Sequence, residues 1–322
     1  MAAARQVRVL AAALLAGLVA GCSGSATPPA SGAPSFAPPR PAGVQDPAVI
    51  PSAPPGAAPT CDVRHSSLRP ETGNPASGPT LAKIRQRGRL VVGVDQNTYL
   101  FGYRDPATGQ IVGFDIDVAR EIAAAIFGNA DAIQFVAITS AQRIPAIQNS
   151  QVDIVAHTMT INCERLQQVD FSTVYFDAGQ RVLVPRDSTA KGIGDLGGKK
   201  VCAAAGSTSI RNIAAASSHP IPVSVPGWTD CMVLLQQGQV AAISTDDTIL
   251  LGMAAQDPNT KLVGERFTEE PYGVAVHKNA NDLLRFVNGV LERMRSGGTW
   301  ARTYAKWLPG PVPAPPPAGY RD

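Results

Sequence analysis

The segment Phe176-Asp177-Ala178-Gly179-Gln180-Arg181-Val182-Leu183-Val184-Pro185 decides the fold, because it is an extended stretch between two regions of similar patterning. It is long enough to carry the chain from one folded unit to another. A second extended segment, Tyr272-Gly273-Val274-Ala275-Val276, predicts the return crossing. Two crossings around an inserted unit predict two α/β lobes with a cleft between them.

Strand-like and helix-like patterns alternate on both sides of the first crossing. Before it, strand-length apolar runs occur at 89–94, 133–138 and 152–157, and helical spacing occurs at 118–127 and 143–148. After it, strands are predicted at 199–204, 223–225 and 240–244, and helices at 210–216 and 230–237. Such alternation is typical of α/β folds with mainly parallel sheets. Because helices at 281–296 and 300–307 should pack back on the first lobe, we assign lobe 1 to 80–184 and 274–308, and lobe 2 to 185–273.

The N-terminus has the features of an export signal: Arg5 and Arg8, an apolar stretch at 9–20, and small residues before Cys22. This resembles a bacterial lipoprotein signal, which implies removal of 1–21 and a lipid on Cys22 that anchors the chain outside the cytoplasm, at the cell membrane. An ordinary signal peptide or a transmembrane anchor is the alternative, but the apolar stretch is shorter than the roughly 20 residues that span a bilayer. Because Pro, Ala, Gly and Ser dominate 22–79 and Pro dominates 309–322, we predict a disordered tether and a disordered tail.

Composition narrows the choice of partners. The chain has 28 basic and 25 acidic residues, a net charge of +3, and no basic cluster, so a nucleic-acid partner is not expected. Besides Cys22, four cysteines lack metal-ligand spacing: Cys61, Cys163, Cys202 and Cys231. In an exported chain these predict two disulfides, and of the three pairings we favour Cys202 with Cys231 and Cys61 with Cys163. Free thiols are the alternative, and neither a metal nor a cofactor is expected.

Seven short segments, in register along Thr80 to Trp307, carry a family resemblance: Gly93-Val94-Asp95, Phe101-Gly102-Tyr103-Arg104-Asp105, Gly113-Phe114-Asp115-Ile116-Asp117, Thr158-Met159-Thr160-Ile161-Asn162-Cys163-Glu164-Arg165, Val169-Asp170-Phe171-Ser172, Asp195-Leu196-Gly197-Gly198-Lys199 and Gly206-Ser207-Thr208. Each is weak alone, but together they resemble polar amino-acid-binding proteins of ABC importers, the extracytoplasmic solute-binding proteins of family 3. The resemblance implies the periplasmic-binding-protein, or Venus-flytrap, fold, with the ligand cleft between the lobes.

A free amino acid brings a carboxylate and an ammonium, whose lost hydration must be offset by charge-assisted hydrogen bonds. Arg165 suits the carboxylate, because its planar fork can bond both oxygens. Thr158 and Thr160, two apart on an extended segment, offer a hydroxyl and backbone groups beside it. The resemblance assigns the binding of the ligand carboxylate to Arg165 and to Thr160, the second threonine of the motif. The alternative is that Arg165 pairs with Asp170 or Glu164 at the surface.

Further residues are expected to complete the cleft. Asp246, at the C-terminal end of a predicted strand, is the candidate for the ammonium, and Asp247 is its rival, since either could instead cap a helix. Ser207 and Thr208 lie between a strand and a helix start, where amides and hydroxyls can receive part of the carboxylate. Trp228 either covers the ligand or anchors packing.

The ligand side chain is the least determined feature. The segment 138–145 resembles that of glutamate/aspartate binders, so Arg143 could pair with a side-chain carboxylate, or it could be a solvated residue at a helix start. Thr98 and Ser140 occupy positions where binders of basic amino acids usually carry aromatics, so basic ligands are disfavoured. Asp95 stands where a glutamate/aspartate binder has a basic residue, which leaves glutamine and asparagine open.

We therefore predict a monomeric, lipid-anchored binding protein for glutamate or aspartate, with glutamine or asparagine as further candidates, that delivers its ligand to an ABC permease. An amino-acid sensor that signals to a membrane receptor when closed is the alternative. A dehydratase on the same fold is a minor alternative, because the sequence lacks Gly-x-Ser-x-Gly and phosphate-loop motifs and none of its four histidines lies in a metal or triad pattern.

Overall fold

A computed structural model describes residues 38–50, 60–71 and 77–322. The predicted signal peptide, the predicted lipidation site Cys22 and part of the predicted tether lie outside the described residues. Within the described part of the chain, no helix has both the length and the apolar character needed to cross a membrane.

The strands and helices follow one another in the alternation that the sequence predicts. The strands are β1 Leu90–Val94, β2 Asn97–Thr98, β3 Gly102–Arg104, β4 Ile111–Val112, β5 Ile133–Ala137, β6 Ile154–Val155, β7 Asp170–Phe171, β8 Phe176–Ala178, β9 Gln180–Pro185, β10 Lys200–Ala204, β11 Ile221–Val225, β12 Ala242–Asp246, β13 Thr260–Val263, β14 Glu270–Tyr272 and β15 Ala275–Val276. The α-helices are α1 Pro79–Arg87, α2 Phe114–Phe127, α3 Arg143–Gln148, α4 Cys163–Leu166, α5 Thr208–Ala215, α6 Trp228–Gln236, α7 Asp247–Gln256, α8 Asn281–Ser296 and α9 Thr299–Trp307.

The first lobe is built on a sheet with strand order β5-β1-β6-β15-β7. β1 pairs in parallel with β5 and β6, whereas β15, from the returning chain, pairs antiparallel. Leu90, Val92 and Val94 share a core with α2, α8 and α9, while Val91 faces a second cluster with α3. Because both faces of β1 are covered, its apolar run is continuous rather than alternating.

The second lobe has a sheet with strand order β11-β10-β12-β9-β13. β10 pairs in parallel with β11 and β12, and β9 pairs antiparallel with β12 and β13. Its core includes residues of β9, namely Val182, Leu183 and Val184. The predicted boundary at residue 184 is therefore wrong, because these apolar side chains are buried in the second lobe.

The two lobes are joined by β8 and β14, which pair antiparallel with each other. Phe176 lies opposite Tyr272, and Ala178 lies opposite Glu270. Both crossings predicted from sequence thus meet in one two-stranded ribbon. These results agree with the predicted two-lobed α/β fold.

The described parts of the terminal segments, 38–50, 60–71 and 309–322, differ from the disorder that their composition predicts. Gln45 forms a bridge with Ser224 of the edge strand β11, and Tyr320 in the C-terminal segment forms a bridge with Ser67. Asp322 also pairs with Arg285 of α8. A proline-rich segment cannot build its own core, but it can lie extended along a surface that is already folded, and these segments do so.

Two disulfides join the four cysteines in the pairing that the sequence analysis favoured. Cys202 pairs with Cys231 inside the second lobe, and Cys61 pairs with Cys163 at the start of α4. The Cys61–Cys163 disulfide links the described segment 60–71 to α4, the helix that carries Arg165.

Candidate ligand-binding cleft

A cavity of about 320 Å³ lies between the lobes. The lobes approach closely at Gly206, where an added Cβ would lie 2.6 Å from the Cα of Ala141. The φ of Gly206 is +73°, so a side chain here would meet both a steric clash and an unfavourable backbone conformation. At the rim of the cavity, Glu164 of the first lobe pairs with Arg211 of the second. The lobes are therefore closed on each other at this cleft.

Arg143 and Arg165 both line the cavity, and both are buried. Arg165 donates to the carbonyl oxygens of Thr160 at 2.7 Å and Gly206 at 3.3 Å. Arg143 donates to the carbonyl oxygens of His157 at 3.1 Å and Gly206 at 3.4 Å. Among the described residues, neither guanidinium forms an ion pair, so the expected alternative pairing of Arg165 with Glu164 or Asp170 does not occur.

Burial makes the charged form of each arginine costly. It lowers the pKa of Arg143 to about 10, although Asp246 and Asp95 act in the opposite direction. Burial, together with the like charges of Arg143 and Arg211, lowers the pKa of Arg165 to about 9. Both guanidiniums remain charged at neutral pH. An anion placed between them would relieve their repulsion and offset their desolvation.

Asp246 and Asp247 differ sharply in what they contact. Asp247 pairs with Arg266 and accepts the amide protons of Gly179 and Thr248. Asp246 ends β12 and accepts from the Tyr272 hydroxyl at 2.6 Å through Oδ2, while its buried Oδ1 has no partner among the described residues. Burial, reinforced by the nearby Glu270 carboxylate, raises the pKa of Asp246 well above its ordinary value. Of the two aspartates, Asp246 is thus the one that a cationic ligand group would stabilise.

Glu270 connects the two lobes at the crossing. Its Oε2 accepts from the Thr160 hydroxyl of the first lobe at 2.6 Å and from the Thr208 hydroxyl of the second at 2.8 Å. Its Oε1 accepts from the Asn212 amide at 3.1 Å and the Thr268 hydroxyl at 2.9 Å. Glu270 therefore orders side chains from both walls of the cleft.

Comparison with known proteins places this architecture in a family. The family model of bacterial extracellular solute-binding proteins, family 3, matches residues 90–310. The chain belongs to this family. It is 43% identical over 230 residues to the ABC transporter glutamine-binding protein GlnH of Bacillus subtilis, covering 71% of this chain and 84% of that protein.

Other relatives differ in the ligand that their names give. The glutamate/aspartate import solute-binding protein of Salmonella typhimurium is 29% identical over 254 residues, covering 76% of this chain and 84% of that one. The solved structure of an ancestral arginine-binding protein bound to glutamine superposes with a TM-score of 0.65 at 38% identity, covering 69% of this chain and 98% of that one. The likeness therefore establishes the family and the two-lobed fold, and the ligand must be argued from the cleft.

Buried acidic residues lie near Arg143 of this solute-binding protein and form a polar layer with the groups that they contact. Asp115, in the first turn of α2, accepts from the Thr158 amide at 2.7 Å and from the Tyr175 hydroxyl at 2.6 Å. Thr158 has a φ of +40°, so the Asp115 contact holds an uncommon backbone conformation in place. Burial, with a smaller contribution from the Asp95 charge, raises the pKa of Asp115 to about 7.

Asp95 lies in the same layer but is satisfied by its own loop. Its Oδ1 accepts from the amides of Gln96 and Asn97, and its Oδ2 accepts from the Thr98 hydroxyl at 2.6 Å. His157 Nε2 lies 3.8 Å from Asp95 Oδ2, and burial lowers the His157 pKa, so this contact does not supply a compensating cation at neutral pH.

The remaining predicted residues occupy different places. The Ser207 hydroxyl caps α5 by accepting from the Ile210 amide and donates to the Ala204 carbonyl, so it is engaged within its own lobe. Thr208 contacts Glu270, as described above. Trp228 is buried in the core of the second lobe and also lines a separate inter-lobe groove beside Tyr99.

Sequence reasoning did not single out three buried residues that interact electrostatically with the arginines of this cleft. Glu270 and Tyr272 flank a proline at the return crossing, and their partners Thr160 and Asp246 lie 110 and 26 residues away along the chain. Asp115 belongs to the Gly113-Phe114-Asp115 motif, and its helical spacing from the apolar Val118 and Ile122 of α2 was the available signal for it.

Proposed function

We propose that this chain binds an acidic amino acid, glutamate or aspartate, between its lobes and delivers it to an ABC importer at the membrane. Support comes from one observation above others: two buried guanidiniums, Arg143 and Arg165, line the cleft, and within the described part of the chain their hydrogen-bond partners are all carbonyl oxygens. Two unpaired cations suit two carboxylates. Import is supported by family membership and by the names of its relatives.

In the proposed complex, Arg165 bonds the α-carboxylate and Asp246 Oδ1 accepts from the α-ammonium. Arg143 pairs with the side-chain carboxylate. Each contact is a charge-assisted hydrogen bond in a cleft from which water is largely excluded. The ligand carboxylates would replace the weaker Gly206 contacts of both arginines, which measure 3.3 and 3.4 Å.

An amide ligand, glutamine or asparagine, is the second candidate, and Asp95 and the glutamine-binding relatives favour it. An amide N–H could donate to Asp95, which would otherwise repel an anionic side chain. We rank it second because both oxygens of Asp95 already accept from groups of the 96–98 loop, whereas Arg143 lacks an anionic partner.

The anchor is part of the proposal. A lipid on Cys22 would hold the protein at the outer face of the cell membrane, and the residues between Cys22 and the folded lobes would give it reach toward a permease. We also propose that the protein acts as a monomer, since one chain supplies both walls of the cleft.

The test is isothermal titration of the chain from residue 23 onward with L-glutamate, L-aspartate, L-glutamine, L-asparagine and L-arginine. We expect saturable binding, tightest for the two acids. Arg165→Ala should weaken every ligand by roughly 10- to 150-fold, since a hydrogen bond to a charged group contributes roughly 1.5–3 kcal/mol. Arg143→Ala should weaken the acids by a similar factor and the amides much less.

Arg186→Ala, an exposed arginine of the second lobe, is the matched control and should leave all affinities unchanged. Equal effects of Arg143→Ala on glutamate and glutamine would refute the side-chain assignment. Wild-type preference for the amides would make glutamine or asparagine the ligand, and silence across the panel would refute amino-acid binding.

A further inference from the structure

Glu270 is a buried carboxylate with only neutral donors. It is 2% exposed, and its four partners are three threonine hydroxyls and one amide. No ion pair to Glu270 occurs among the described residues. Burying a carboxylate costs free energy unless hydrogen bonds replace the hydration that it loses. These four hydrogen bonds are therefore needed to hold Glu270 in place.

The direction of these hydrogen bonds matters. A carboxylate oxygen accepts, so Thr160 and Thr208 donate their hydroxyl protons to Glu270 Oε2. A hydroxyl has a single proton. Once it is donated, each threonine oxygen can only accept from any group that enters the cleft.

The groups next to the two threonines also act as hydrogen-bond acceptors. Glu270 and Tyr272 are two residues apart on β14, so their side chains lie on the same face of the strand. The Tyr272 hydroxyl donates to Asp246 Oδ2, and Oδ1 has no hydrogen-bond partner among the described residues, so it can accept once an arriving ammonium has ionised Asp246. This face therefore gathers three acceptors with no free hydroxyl proton: the oxygens of Thr160 and Thr208 and the Asp246 carboxylate.

We propose that Glu270 is a positioning residue that sets the specificity of the cleft: by taking the protons of Thr160 and Thr208, it selects a ligand with an α-ammonium over one with an α-oxo group. This inference rests on the proposed function. An ammonium brings three N–H donors to the acceptor face. An α-oxo group offers only lone pairs, which would oppose those of both threonines.

The experiment substitutes Glu270→Gln, which keeps the shape but carries two amide protons. Asn212 and Thr268 donate to Oε1, so this position keeps an oxygen and the new Nε2 takes the place of Oε2, facing both threonines. Its two protons can be donated to the two threonine oxygens, so those hydroxyls turn their own protons toward the cleft. L-glutamate and 2-oxoglutarate, which share both carboxylates, are the probes, or L-glutamine and its 2-oxo counterpart if wild type prefers glutamine. Affinities are measured by titration and, for the weaker ligand, by displacement.

We expect Glu270→Gln to reduce the ratio of amino-acid to oxo-acid affinity by at least about tenfold, equivalent to about 1.4 kcal/mol. Glu269→Gln removes an adjacent, exposed glutamate that pairs with Arg64 and should leave the ratio unchanged. An equal loss for both ligands would mean that Glu270 only maintains structure, and an unchanged ratio would also overturn the inference.

A second measurement keeps the test decisive if oxo-acid binding is too weak to detect. Thr208→Val removes one hydroxyl, and in the wild-type background it should lower amino-acid affinity by removing an acceptor. In the Glu270→Gln background the same change should cost at least about tenfold less, because Glu270 no longer orients that hydroxyl. Additive effects would refute the inference. Failure of wild type to bind any amino acid would instead refute the proposed function.

Discussion

Replacing Asp115 by asparagine should remove a specific part of the pH dependence of folding. Asp115 is 1% exposed and bonds the Thr158 amide and the Tyr175 hydroxyl. Asparagine can keep both contacts, with its oxygen accepting from Thr158 and its amide donating to a reoriented Tyr175 hydroxyl. The variant therefore changes the titration and preserves the shape of the site.

The magnitude follows from the Asp115 pKa, which is about 7 in the folded protein against an ordinary value of 3.8. Between these values the folded state holds a proton that the unfolded state has released, so the free energy of unfolding falls as pH rises. The contribution is fully present below pH 3.8 and lost above pH 7. At about 1.4 kcal/mol per pH unit, wild type should lose about 3 kcal/mol relative to Asp115→Asn between about pH 5 and 8.

The assay is urea unfolding of both proteins, without ligand, at several values of pH from about 5 to 8. We expect the stability difference between variant and wild type to grow in favour of the variant as pH rises. Asp131→Asn, which removes an exposed carboxylate paired with Arg120, is the control and should show no such trend. Parallel pH profiles for wild type and Asp115→Asn would refute the reasoning, because they would mean that Asp115 titrates alike in both states.

Two further predictions concern the cleft and the second lobe. Burial and Glu270 raise the pKa of Asp246, so an arriving ammonium should lower that pKa and release protons to the buffer. The binding enthalpy measured near about pH 6 should therefore change with the ionisation enthalpy of the buffer, as it does when the buffer takes up protons. A binding enthalpy that is the same in all buffers would contradict this. Replacing Cys202 and Cys231 together by alanine opens a loop with a sequence separation of 29 and should cost about 3–4 kcal/mol of unfolding free energy by urea titration, whereas unchanged stability would show that the disulfide adds nothing.

Local patterns predicted the fold closely where a single periodicity dominated. Helix α8 occurs at the predicted residues because its apolar positions repeat at helical spacing and form one buried face. Helix α7 was not predicted, since it is buried on several sides and lacks a clear polar face. The boundary in β9 was misplaced because an apolar strand carries no mark of the lobe in which it is buried.

The candidate site divides in the same way. Arg165 and Asp246 could be proposed from motif order and from their place at the ends of predicted elements. The choice between Asp246 and Asp247 needed the structure, which engages Asp247 with Arg266 and leaves an oxygen of Asp246 unpaired. The sequence offered no such distinction between two adjacent carboxylates.

The two-lobed α/β architecture could be inferred from the sequence alone, because it depends on local patterning. The family and the arginines suited to carboxylates could be inferred from the order of the motifs. The hydrogen bonds in which Thr160 and Thr208 donate to Glu270 could be found only in the tertiary structure. Thr160 and Thr208 meet Glu270 across sequence separations of 110 and 62 residues. Hydrogen bonding and desolvation depend on distances of a few ångströms, and those distances are set only when the crossings bring the two lobes together.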